Sequence, residues 1–210
     1  MASLALLHRQ RACQMVLIDP KSRGLAPFAN FPHLLRPLVT DTTAAGAALT
    51  DLVGEMEQRD RTGVSSPPII VVIDELADLL MTGGREVEQP LTRLLQRGRG
   101  AGIHVVAATQ KPSASALNPL IRSNFPMRIV GRVVSAGDAL MAAGVGGTNA
   151  ERLTGRGDML AVTQGCATRF QGAYIDEAQI AQLSGWLNAG AAGRGGVLTL
   201  QRPTALVRAS

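Results

Sequence analysis

The chain has 210 residues, 46% of them hydrophobic, enough to bury a sizeable core in one domain or in one domain with a short tail. Twenty-one basic against 16 acidic residues give a net charge of +5; the balance suits a polyanionic partner, and because only Lys21 and Lys111 are lysine, a GC-rich genome is an equal explanation for the arginine bias. Aromatic residues make up 3%, which disfavours stacking platforms for single strands and favours contact with a duplex backbone; no run is long and apolar enough to span a bilayer.

Residues 2–9 read as the end of a helix, too short for a secretory signal. Gln14 to Asp19 reads as a strand closed by Asp19-Pro20-Lys21, and a loop rich in Pro and Phe follows. From Thr42 to Arg61, Leu49, Leu52, Val53 and Met56 recur at helical spacing, with Thr40 or Asp41 available as N-cap. A Gly/Ser/Pro hinge over 62–67 leads into Ile69-Ile70-Val71-Val72-Ile73, continuously apolar and β-branched, as in the middle of a parallel sheet covered on both faces. Leu91, Leu94 and Leu95 mark the next helix, ended by Gly98 and Gly100, and Ile103 to Gln110 reads as another buried strand with a polar end. Shorter strands are expected at 128–134, 158–162 and 169–175, and a final helix at 177–188. This alternation predicts an α/β layered fold. The chain is expected to divide into a domain over 1–188 and a flexible, Gly/Ala/Arg-containing tail over 189–210.

Function in parallel sheets gathers at the C-terminal strand ends, and there the apolar run meets Asp74 and Glu75. Asp74 could hold a Mg²⁺-bound water and Glu75 could orient or deprotonate the water that attacks a γ-phosphate, the Walker B arrangement. The plainer alternative is that Asp74 caps a helix beginning near Glu75 and both acids are simply solvated. Cys13 and Cys166 match no metal-ligand spacing and read as reduced cytosolic thiols. His8, His33 and His104 lack partners at ligand spacing and read as packed, hydrogen-bonded core or loop histidines. Gly144-Val145-Gly146-Gly147 lacks the strand-to-helix context of a dinucleotide site and reads as a flexible loop.

An ordered series of motifs resembles the motor domain of the FtsK/SpoIIIE family of double-stranded DNA translocases. It runs through Leu17-Ile18-Asp19-Pro20-Lys21, Pro32-His33-Leu34-Leu35, Val39-Thr40-Asp41, Glu55-Met56-Glu57-Gln58-Arg59 and Ile73-Asp74-Glu75-Leu76-Ala77-Asp78-Leu79. It continues through Arg99-Gly100-Ala101-Gly102-Ile103-His104, Ala108-Thr109-Gln110-Lys111-Pro112-Ser113 and Gly157-Asp158-Met159-Leu160, across roughly 1–180. The resemblance implies a RecA-like P-loop NTPase core, a mostly parallel sheet with helices on both faces, assembled into a hexameric ring around duplex DNA with ATP and Mg²⁺ between subunits.

Carried over, Asp74 is the Mg²⁺-side carboxylate, acting through water, and Glu75 the catalytic base. Gln110 is the sensor of the γ-phosphate, with Thr109 beside it on the nucleotide. A Gln amide can donate to a phosphate oxygen and accept from the attacking water. The alternative for Thr109 and Gln110 is termination of a buried strand by hydrogen-bonding side chains. Asp158 is implied at the rim of the nucleotide pocket. A ring motor also needs a cation from the neighbouring subunit; Arg128 stands where the family carries Arg, with Arg97, Arg99 and Arg122 as alternatives.

The chain departs from the family pattern in three places. Lys111 stands where Arg is common, Asp138-Ala139-Leu140 replaces Asp-Ser-Arg, and nowhere do the 210 residues contain Gly-x-x-x-x-Gly-Lys-Ser/Thr, the loop that cradles phosphates. Residues 2–9 resemble the remainder of the helix after that loop, so the loop and its strand are expected to be missing from this chain. The expectation is therefore an ATP-dependent duplex-DNA translocase motor, cytoplasmic or tethered to a membrane through a region outside this sequence, inactive in hydrolysis as the 210 residues alone. The alternative is a non-hydrolysing ring subunit or DNA-binding partner of such a motor.

Overall fold

The computed structural model describes residues 1–110 and 119–190. Three strands, β1 (Gln14–Ile18), β2 (Ile69–Ile73) and β3 (Ile103–Ala107), form a parallel sheet in that order. Its register pairs Ile18 with Ile73 and Ile73 with Ala107, so the three C-terminal ends are level. Parallel strands need crossovers, and the two long helices between these strands supply them, both on one face.

Helices α2 (Thr42–Thr62) and α3 (Leu76–Arg97) cover one face. Leu49, Val53 and Met56 of α2 and Leu79, Leu91 and Leu94 of α3 pack against Val16, Ile18, Ile69, Val71 and Ile73. Asp41 caps α2, its carboxylate accepting from the Ala44 N–H at 2.8 Å, and Gly63 ends it in the left-handed conformation. Of the two candidate caps read from the sequence, Asp41 is the one used. Helix α3 bends sharply at Gly84, whose φ of 50° and ψ of −137° interrupt the helix.

The opposite face carries Met15, Leu17, Ile70 and Val72. Against it pack Ala5 of α1 (Ala2–Leu7) and Ile180, Leu183 and Leu187 of the C-terminal helix, together with Phe28 and Phe31 from the loop after β1. This covering stops at β2. His104 and Val106, on the same face of β3, are exposed, Val106 at 55%. The expectation of a strand buried on both faces thus holds for β2 and not for β3.

After a short helix α4 (Pro119–Ser123), strands β4 (Met127–Val130), β5 (Asp158–Thr163) and β6 (Cys166–Gln171) make a second, antiparallel sheet. Helix α5 (Ala136–Ala143) packs on it through Ala139 and Ala143, against Val130, Leu160 and Val162. Strand-helix alternation did not anticipate this sheet or α5, and it put β6 about three residues too late. Helix α6 (Glu177–Asn188) opens with a capping box between Asp176 and Gln179 and closes over the parallel sheet. Residues 191–210, the bulk of the expected tail, and Lys111 lie outside the described residues.

No helix among the described residues is long and apolar enough to cross a membrane. His33 is buried and its Nε2 lies 2.8 Å from the His8 carbonyl oxygen. His104, by contrast, is an exposed strand residue rather than a packed core or loop histidine.

Candidate functional site: the carboxylate end of the parallel sheet

Level strand ends bring three acidic or polar termini together. Asp19 follows β1, Asp74 follows β2, and Ala108-Thr109-Gln110 follow β3. Backbone hydrogen bonds hold the row: the Asp74 N–H donates to the Ile18 carbonyl at 2.9 Å and the Ala108 N–H to the Ile73 carbonyl at 2.9 Å.

Glu75 has φ 51° and ψ 62°, left-handed and unusual for a residue with a Cβ. Such strain costs about 1–3 kcal/mol and persists only where the surroundings impose it. Here they do: the carboxylate accepts from the Thr109 hydroxyl at 2.7 Å, and the Gln110 N–H lies 3.2 Å from both its oxygens. Glu75 occupies the N-cap position of α3 yet makes no capping bond. Asp74 is not the cap of α3, so the plainer alternative raised from the sequence does not describe this turn.

Asp74 is half-buried. Its pKa is raised, first by loss of water on burial and then by the negative charges of Asp19 and Glu75. Asp19 is wholly buried; its carboxylate accepts from the Lys21 N–H at 3.1 Å and the Leu25 N–H at 2.9 Å, folding the loop after β1 back on itself. That loop presses Gly24 against Asp74, where a Cβ would stand 2.7 Å from Oδ2. The Lys21 ammonium pairs with Asp78 in the first turn of α3.

The donor set fits a hard divalent cation. Asp74 carries negative charge that its neighbours make costly, and a cation would relieve it. Among the described residues no group of three or more ligating side chains forms a cage, so Mg²⁺ would be held as it usually is, by one carboxylate, waters and substrate phosphates.

Asp74, Glu75, Thr109 and Gln110 therefore converge. Arg128 and Asp158 belong to the antiparallel sheet, and both are engaged there. The Arg128 guanidinium donates to the Arg122 carbonyl at 3.2 Å and the Ala142 carbonyl at 3.4 Å, and burial with the nearby Arg122 charge lowers its pKa. The buried Asp158 carboxylate takes two bonds from Arg169, both at 2.7 Å, and two from Thr154, at 2.7 and 2.9 Å. These bonds, the Arg169 pair first, hold its pKa far below the usual carboxylate range. Arg97 pairs with Asp60 at 2.6 Å, whereas Arg99 is exposed in the turn after α3.

Sequence reasoning missed Asp19, Lys21 and Gly24 as parts of the site. The signal was present: Asp19-Pro20-Lys21 follows an apolar strand just as Asp74-Glu75 does.

Comparison with known proteins agrees with this architecture. The FtsK/SpoIIIE family model matches residues 1–64 and 60–114. Proteins named DNA translocase FtsK from Sporosarcina ureae and from Listeria monocytogenes serovar 1/2a are each 37% identical over 206 residues. Those alignments cover 85% of this chain and 26% and 27% of the respective relatives. The chain belongs to the FtsK/SpoIIIE family, and it spans about a quarter of the length of the curated relatives it matches.

Among solved structures, EssC (ATPases 2 and 3) from Geobacillus thermodenitrificans superposes with a TM-score of 0.74 at 19% identity, over 90% of this chain and 40% of that one. The pCW3 conjugation coupling protein TcpA, solved with ATPγS, superposes with a TM-score of 0.68 at 23% identity, over 83% and 57%. At these identities the likeness establishes the fold alone, an α/β domain with a parallel sheet and helices.

Proposed function

We propose that the chain is the ATP-dependent motor part of a double-stranded DNA translocase, acting in chromosome segregation or DNA transfer. The observation that carries this reading is the convergence of Asp74, Glu75, Thr109 and Gln110 at level strand ends. Asp74 would hold Mg²⁺ through water, and the bound ion would supply positive charge beside the phosphates. Glu75, kept in place by Thr109 and the Gln110 backbone, accepts a proton from the attacking water. The Gln110 side chain reads the γ-phosphate. Asp158 borders the pocket indirectly, fixing the loop before β5 through Thr154 and Arg169.

Subunits form a homo-oligomeric, hexameric ring, and a neighbour's arginine completes each site. Arg128 is held within its own subunit by two backbone carbonyls, so the exposed Arg99 is the better placed to act across a boundary. Duplex DNA meets the antiparallel-sheet side. Residues 119–175 carry six arginines against three carboxylates, whereas residues 1–110 are balanced, ten arginines and Lys21 against eleven carboxylates.

The test is DNA-stimulated ATP hydrolysis by the polypeptide translated in frame from upstream of Met1. Hydrolysis that rises with duplex DNA supports a motor. A stop codon upstream, or hydrolysis absent and indifferent to DNA, favours the non-hydrolysing ring subunit instead.

A further inference from the structure

Nineteen of the 21 basic residues are arginine, so a lysine in this chain runs against its own habit. Lys21 is the only lysine among the described residues, and it stands at the carboxylate end of the parallel sheet. Its backbone is pinned. The Lys21 N–H donates to buried Asp19, the Ser22 N–H donates to the Asp19 carbonyl at 3.0 Å, and Ser22 turns the chain through a left-handed φ of 51°. Its head is not pinned in the same way: the side chain is 52% exposed and reaches across to Asp78, itself 30% exposed, with Asp74 and Glu75 close enough to feel its charge.

A fixed stem with a half-solvated cation among three carboxylates is poor design for stability alone, because an exposed pair of this kind contributes little. It suits a charge that changes partner. An ammonium has three rotatable donors and no required plane, so it can pass from one anion to another, whereas a guanidinium fork is committed to a matching geometry.

We propose that Lys21 is a phosphate-contacting residue of the nucleotide site, held on Asp78 while the site is empty and transferred to the terminal phosphates when Mg²⁺ and a nucleoside triphosphate settle beside Asp74 and Glu75. The inference rests on the nucleotide reading above and adds a residue and a movement to it. Asp78 then serves as the resting partner, and the loop built on Asp19 keeps the swing short.

Because the chain has two lysines, the test is direct. Reductive ¹³C-methylation of the 210-residue chain labels Lys21, Lys111 and the terminal amine, and Lys21→Arg identifies the Lys21 signal. Mg·ATPγS is titrated to about 10 mM while the Thr109 and Gln110 amides are followed in parallel. The expected result is a Lys21 shift that saturates together with those amides. Lys21→Met should weaken binding about tenfold, and Asp78→Asn should bind at least as tightly as the unaltered chain. If the Thr109 and Gln110 amides respond while the Lys21 signal stays still and Lys21→Met binds normally, Lys21 does not touch phosphate and the nucleotide site stands without it. If neither responds in the 210 residues, the same titration on the polypeptide translated in frame from upstream of Met1, with Lys21→Arg again identifying the signal, decides. Silence there removes the nucleotide reading and this inference together, and a Thr109 and Gln110 response with a still Lys21 signal removes this inference alone.

Discussion

The Thr109 hydroxyl donates to the Glu75 carboxylate at 2.7 Å, joining the second residue after β3 to the second residue after β2. This bond, with the Gln110 N–H, holds Glu75 in its left-handed conformation and so sets where its carboxylate oxygens point. Thr109→Val keeps the shape and removes the donor. It should cost at most about 1 kcal/mol in urea unfolding, since the site is half-exposed. In the hydrolysing protein it should lower kcat about tenfold with KM little changed, and Thr109→Ser should restore it.

Gly24 is the contact through which the loop after β1 supports Asp74. A methyl group there would stand 2.7 Å from Asp74 Oδ2, so Gly24→Ala must displace either the loop or the carboxylate. The expected loss of stability is about 1–3 kcal/mol. Isothermal titration should show a weaker response to Mg²⁺ with nucleotide; an unchanged response would mean that the loop does not position Asp74.

At the opposite end of the sheet, buried Arg59 donates to Glu55 at 2.7 Å, to the Pro67 carbonyl at 2.9 Å and to the Ala101 carbonyl at 3.1 Å. It ties the end of α2 to the segments that enter β2 and β3. There Gly102, at φ 72°, passes so near Ser65 that a Cβ would lie 1.9 Å from its carbonyl oxygen. Arg59→Leu leaves two carbonyls without donors and should destabilise by about 2–4 kcal/mol. Glu55→Gln, whose site is 41% exposed, should change stability by under about 0.5 kcal/mol. Chemical denaturation of both variants separates the clamp from the ion pair.

Asp158 gives a pH dependence of definite sign. Its folded pKa is depressed below the unfolded value of about 3.9, so its contribution to stability is fully present above that value and lost as pH falls through the folded one. Urea unfolding at pH 7 and near pH 3 should show a loss for the native chain, and a smaller loss for Asp158→Asn. Equal slopes would mean that the Arg169 pair does not survive in solution.

The parts of this fold that the sequence makes legible are those where one residue's environment follows from its neighbours. Met15–Ile18 and Ile69–Ile73 are too apolar to be anything but covered strands, and polar residues directly after them mark the site end. Pairing partners are another matter. Thr163-Gln164-Gly165-Cys166 is a two-residue hairpin with left-handed Gln164 and Gly165, and an X-Gly between strands was a readable signal for it. Missing it displaced β6 and hid the antiparallel sheet. Helix α5 was obscured because its buried positions are Ala139 and Ala143, too small to give an apolar stripe. Strand β3 ends at Ala107 rather than Gln110 because Thr109 and the Gln110 backbone turn aside to hold Glu75, a tertiary demand that local pattern does not carry.

Glu75 is proposed as the proton acceptor of an ATP-hydrolysing site, and separating nucleotide binding from hydrolysis in the DNA-stimulated protein tests that role. Glu75→Gln keeps size and polarity but removes the base. The expected result is nucleotide affinity within about twofold of the native protein and hydrolysis reduced at least about a hundredfold. Hydrolysis by Glu75→Gln at the native rate would contradict it.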